Sequence, residues 1–179
     1  MQFESYPFEK LNRLLSDISP NAEFAPLSLT IGEPQFDTPL FIQESLASSV
    51  SLLNKYPKTA GEDYLKDAML SYLKSRFDIL LKPEEIVPSF GTREVLFNFP
   101  QFLLHDRPNP VMAFPNPFYQ IYEGAAIASR AEVRYLTLEA KNHFLPEIDE
   151  SSLENIDLVI LNSPNNPTGS VMSFESLKE

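Results

Sequence analysis

The sequence predicts an α/β fold: a mostly parallel sheet with helices on both faces, preceded by an N-terminal helical arm. Two observations carry this. Short apolar runs begin near Ile86, Val111, Val133 and Leu158, so successive starts lie 25, 22 and 25 residues apart. Helix-like segments, about residues 93–105 and 118–129, fill the first two gaps. Strands alternating with helices at this spacing are the pattern of βαβ units, whose crossovers make neighbouring strands parallel.

In chain order, Leu11, Leu14, Leu15 and Ile18 fall at helical spacing, and Pro20 ends that segment. The apolar run Leu27–Ile31 leads into a turn at Gly32-Glu33-Pro34. Asp37 or Thr38 is placed to cap a helix over residues 41–53, with Pro39 near its first position, where a missing N–H costs nothing. Gly61 opens a third helix over 62–77, with Leu65, Met69, Tyr72 and Leu73 on one face. The connection over 138–155 is more polar and less helical than the two before it. After the Leu158–Leu161 run come a loop rich in Pro and Asn and the start of a helix at Ser173. An ending inside that helix, at Glu179, reads as a fragment of a longer fold.

Composition narrows the function. The 179 residues hold 14 basic and 25 acidic side chains, a net charge of −11, which argues against a general nucleic-acid surface. The absence of cysteine excludes disulfide scaffolds, Cys-type zinc sites and thiol catalysis. No apolar stretch is long enough to span a bilayer, and the N-terminus lacks the order of a signal peptide, so a cytoplasmic location is expected. Proline is in surplus, at 16 residues, or about 9% against a typical ~5%.

Three strings sit where ligands bind in open α/β sheets, outside the carboxyl ends of strands. Asn162-Ser163-Pro164-Asn165-Asn166-Pro167-Thr168-Gly169 follows the last strand; its prolines stiffen a loop carrying amides that can donate to an oxygen. Ser89-Phe90-Gly91-Thr92-Arg93-Glu94 opens a helix, and a helix N-terminus offers unpaired N–H groups to an anion. Pro115-Asn116-Pro117-Phe118-Tyr119-Gln120-Ile121-Tyr122 brings aromatics to the end of the second strand. Taken alone, each has a plainer reading, as a turn, a helix cap and core aromatics respectively. His105 and His143 have no partner at metal spacing, Glu84-Glu85 reads as a solvated turn, and no G-x-S-x-G elbow occurs.

Together these strings resemble, in order, the motifs of the class I/II aminotransferases, pyridoxal 5′-phosphate (PLP) enzymes of fold type I. The resemblance implies that Gly91, Thr92 and Arg93 hold the cofactor phosphate. Arg93 departs from the usual small residue, which leaves its side chain either on the phosphate or in solvent. It implies that Tyr119 stacks on the pyridine ring and that Asn166 bonds the 3′ oxygen. Tyr56, in Asn54-Lys55-Tyr56-Pro57 with Gly61 and Leu65 following, matches a tyrosine that reaches a partner subunit's phosphate, which implies a homodimer. Gly32, in Gly32-Glu33-Pro34-Gln35-Phe36-Asp37-Thr38-Pro39, matches the backbone beside the substrate α-carboxylate. The implied substrates are an amino-acid donor such as glutamate and a keto acid. The strings FESYPFEKLNRLL and FGTREVLFNFPQF are similar to the family branch that aminates N-succinyl-2-amino-6-oxopimelate in lysine biosynthesis.

The resemblance covers about the first half of the family. It implies an arm and part of the small domain over 1–50, and the first half of the large PLP-binding domain over 51–179. None of the eight lysines stands in the family's Schiff-base context, so no catalytic residue is assigned and the chain alone is expected to be inactive. Two alternatives accompany that reading: one half of a split enzyme completed by a separate C-terminal chain, or a fragment without function.

Overall fold

The computed structural model describes residues 5–25, 27, 29, 31–149 and 151–178. The chain divides into two compact units: residues up to Leu15 together with those from Ser89 onward, and Ser16–Pro88.

The first unit holds the sheet. Its strands β1 (Val111–Asn116), β2 (Glu132–Thr137) and β3 (Leu158–Val159) lie in the order β2-β1-β3. Both pairings are parallel, Val111 lying opposite Glu132 and Met112 opposite Leu158. The parallel sheet expected from the spacing is therefore present. Central β1 is buried at four successive residues, Met112 to Pro115. Successive side chains point to opposite faces, so both faces of β1 are covered, as in parallel sheets generally.

Helix α4 (Thr92–Leu103) precedes β1, and α5 (Ile121–Ala128) makes the crossover from β1 to β2. The core gathers Leu104, Met112, Phe114, Ile121, Tyr122, Ala125, Ala126 and Ala131, with Leu96 and Phe97 of α4 packed against it. Small residues on α5 let the helix pack closely on α4, where a Cβ on Gly124 would lie 3.8 Å from the Phe97 ring. The unit also contains α1 (Pro7–Leu15), none of whose residues is buried.

The second unit is helical: α2 (Leu40–Ser48), a 3-10 turn at Val50–Asn54, α3 (Asp63–Phe77) and a 3-10 turn at Pro83–Glu85. None of these elements has a buried residue. On α3 the expected apolar face is only partly covered: Met69 and Leu73 are half-buried, whereas Leu65 and Tyr72 are exposed. Gly61 precedes it at φ +88, where an added Cβ would lie 2.6 Å from Pro88 Cγ.

Four local expectations are corrected. Ile86 is extended (φ −130, ψ 132) and buried, yet it belongs to no strand, because no described strand runs beside it to complete a ladder. Pro39 occupies the N-cap position of α2, with no side-chain cap from Asp37 or Thr38; the Thr38 carbonyl accepts from Gln43 Nε2 instead. That helix also ends at Ser48, where the chain tightens into 3-10 geometry. From Ser173 the chain makes turns rather than a helix, with the Ser173 hydroxyl accepting from the Ser176 N–H.

Candidate functional site

At the start of α4, Gly91 occupies the N-cap with φ 87 and ψ 163, a conformation open essentially only to glycine. Nothing lies within 4 Å of the place its Cβ would take, so one side of this turn is open space. No side chain caps the helix. Glu94 reaches back to accept the Phe90 N–H at 2.7 Å, and the Gly91 carbonyl accepts the Glu94 N–H at 3.2 Å. The N–H groups of Thr92 and Arg93, in the first turn, have no intrahelical acceptor by position. Gly91, Thr92 and Arg93 are all exposed. The Arg93 guanidinium lies 5.9 Å from the centroid of the Tyr6 ring, so its side chain faces the N-terminal arm.

Beyond β1, two adjacent aromatics take different surroundings. Phe118 is half-buried against the core, stacking on Tyr135 at 5.7 Å and 14° and meeting Phe114 edge-on at 5.0 Å. Tyr119 is half-buried and touches Tyr122 in a T-shaped contact at 5.9 Å. Burial, and secondarily Tyr119, pushes the Tyr122 hydroxyl above its ordinary pKa. Gln120 Nε2 donates to the Tyr6 hydroxyl oxygen at 2.9 Å.

The loop after β3 is braced from within. Asn165 is buried; its N–H donates to Ser170 O at 2.9 Å, and its carbonyl accepts the Gly169 N–H at 2.7 Å. Its Nδ2 donates to Thr168 Oγ1 at 2.9 Å, while its Oδ1 is buried without a partner among the described residues. Thr168 and Ser170 share a hydroxyl contact at 2.8 Å, and Ser170 donates onward to the Phe144 carbonyl. Asn162 Oδ1 accepts the Asn166 N–H at 2.9 Å. The Asn166 side chain, by contrast, is exposed and makes no hydrogen bond among the described residues.

Both loops follow the carboxyl ends of parallel strands. Helix α4 leads toward the amino end of β1, so its N-terminus belongs to the same end of the sheet. The structure thus gathers five of the expected site residues, Gly91, Thr92, Arg93, Tyr119 and Asn166, in one unit. Gly32 and Tyr56 lie in the other unit, and Tyr56 is fully exposed. His105 Nδ1 lies 3.1 Å from the Phe102 carbonyl, and no group of three metal-ligating side chains occurs among the described residues. Tyr6 and Gln120 were not singled out from the sequence. A contact spanning 114 residues leaves no local signal.

This arrangement defines an α/β protein with an open helix N-terminus, an aromatic ring and an unengaged amide at the carboxyl end of a parallel sheet. The profile of the family described as aminotransferase class I and II matches residues 26–179, and the chain belongs to that family. Family members depend on PLP. The open turn at Gly91, the half-buried Tyr119 and the unengaged Asn166 amide fit its phosphate, ring and 3′ oxygen. Among solved structures, the chain is similar to the aminotransferase AspB of Helicobacter pylori, with 52% identity and TM-score 0.91 over 99% of this chain and 47% of that one. An aminotransferase of Neisseria meningitidis shares 38% identity at TM-score 0.86, over 99% of this chain and 46% of that one. The LL-diaminopimelate aminotransferase of Dehalococcoides mccartyi is 30% identical over 97% of this chain and 46% of its own. The chain spans about half the length of the relatives it matches. No helix among the described residues is long and apolar enough to cross a membrane.

Proposed function

We propose that this chain is the cofactor-holding N-terminal portion of a PLP-dependent aminotransferase that moves an amino group from a donor such as glutamate to a keto acid. The observation that carries the reading is the gathering of the α4 N-terminus and the two strand-end loops at one end of one sheet. A diaminopimelate-type substrate is supported by the Dehalococcoides relative. N-succinyl-2-amino-6-oxopimelate, in lysine biosynthesis, is the particular keto acid proposed. The enzyme works as a cytoplasmic homodimer. Arm and part of the small domain over 1–50, with half of the large domain over 51–179, is a proposal about the whole subunit, separate from the contact units described above.

In this reading the main-chain N–H groups of Thr92 and Arg93 and the Thr92 hydroxyl hold the phosphate, and the positive end of α4 favours its charge. Tyr119 fixes the plane of the ring. Asn166 Nδ2 would donate to the 3′ oxygen, a hydrogen bond that favours its anionic form. Tyr56 of one subunit reaches the phosphate bound by its partner, and the Gly32 backbone meets the substrate α-carboxylate. The cofactor, when bound, supplies the electron sink and accepts the amino group.

The lysine needed as covalent anchor and proton carrier matches none of the eight in this chain, so the chain alone does not transaminate. A second reading, that a separate C-terminal chain completes the enzyme, is supported by the exposed Leu65 and Tyr72 on α3 and by the edge of β3 that pairs with no strand among the described residues. One mixing experiment tests both. The chain with PLP gives reversible binding and no transamination. Adding the C-terminal half of a relative produces the visible absorbance of lysine-bound cofactor and activity. Turnover by the chain alone would overturn the first reading, and a mixture without that absorbance would overturn the second.

A further inference from the structure

Tyr6 touches both segments that flank the proposed cofactor seat. Gln120 Nε2 donates to its hydroxyl oxygen at 2.9 Å, and the Arg93 guanidinium lies 5.9 Å from its ring centroid. On its other side the residue is bound to α1: its carbonyl accepts the N–H groups of Glu9 and Lys10 at 2.9 and 3.2 Å, and its ring lies 5.6 Å from that of Phe8. Gln120 is the immediate neighbour of Tyr119, and Arg93 lies in the first turn of α4. A single side chain of the arm therefore connects the ring-binding loop to the phosphate-binding helix start.

We propose that Tyr6 is a positioning residue, which fixes the spacing between the α4 N-terminus and the Tyr119 loop through Arg93 and Gln120. The inference rests on the proposed roles of those two segments and adds the element that sets their separation. A guanidinium over an aromatic face is attracted by the ring quadrupole, which turns Arg93 toward the arm. The anion seat is then left to main-chain N–H groups and Thr92, which have fewer rotamers to fix when the phosphate arrives. The Gln120 bond ties the loop after β1 to the arm.

Hydrogen–deuterium exchange on the full 179-residue chain tests the coupling without cofactor. Tyr6→Ala is expected to raise exchange about tenfold in α1 and also in residues 91–96 and 118–122. Tyr6→Phe keeps the ring under Arg93 and is expected to raise it mainly in 118–122. Should Tyr6→Ala prevent folding, Gln120→Ala serves: it is expected to raise exchange in the first turn of α1, 114 residues away. Increased exchange confined to α1 in Tyr6→Ala, or an unchanged α1 in Gln120→Ala, overturns the proposal.

Titration with PLP, followed by tyrosine fluorescence, is expected to show about three- to tenfold weaker binding in Tyr6→Ala. Pyridoxal without its phosphate is the control and should show a smaller change. Wild-type chain that does not bind PLP would defeat the cofactor reading, while the exchange data would still decide the coupling.

Discussion

Asn165 directs its side chain and both main-chain groups into its own loop, whereas the Asn166 amide stays in solvent. Asn165→Ala is therefore expected to destabilise the chain by about 1 kcal/mol in urea unfolding, the loss being limited because the unpaired Oδ1 is removed too. Asn166→Ala should leave stability within about 0.5 kcal/mol of wild type and weaken PLP binding instead. A pair of glycines makes a similar contrast. Gly91→Ala meets no atoms and is expected to cost about 1–3 kcal/mol from backbone strain alone. Gly61→Ala adds a collision with Pro88 to the same strain, so its thermal unfolding temperature should fall further. Asp149 bears on pH: bonds from the Ser151 hydroxyl, then the Ser152 N–H, hold its carboxyl below the ordinary value. A depressed folded pKa gives stability that is present above the unfolded value and lost as pH falls through the folded one. Carbon-detected NMR titration should accordingly place the Asp149 midpoint below that of an unstructured aspartate.

Among the elements, β1 carries the fold. Phe114 is fully buried at its centre and meets Phe118, Tyr122 and Tyr135, which belong to three different segments. Phe114→Ala is expected to destabilise the sheet unit by about 3–5 kcal/mol, measured by chemical denaturation, with loss of near-ultraviolet circular dichroism from the surrounding tyrosines. The elements legible in the sequence were those with a local cause. The α4, β1, α5 and β2 segments carried a clear period or apolar run, and each formed within a few residues of its expected place. The Ile86 segment had the composition of a strand but lacks a neighbour, since a strand is a property of a pair. The segment from Ser173 had helical composition but makes turns, and a short helix without a packed face is marginal in water.

At the scale of the molecule, the two units differ in what holds them. The sheet unit has a contiguous core, whereas the helices of Ser16–Pro88 bury no residue. Expressed alone, Ser16–Pro88 is expected to show no cooperative thermal transition, since apolar burial is the term that offsets chain entropy. By itself the sequence determined the parallel α/β class, the family, and the strings that form the strand-end loops. It could do so because periodicity, turn chemistry and motif spacing act over a few residues and survive in linear order. Only the tertiary structure decided that Phe118 packs on Phe114 and Tyr135, that the Asn165 loop is tied through Ser170 to the Phe144 carbonyl, and that Arg93 turns to Tyr6. Each of those outcomes depends on which distant segment arrives alongside, and residue order does not contain that information.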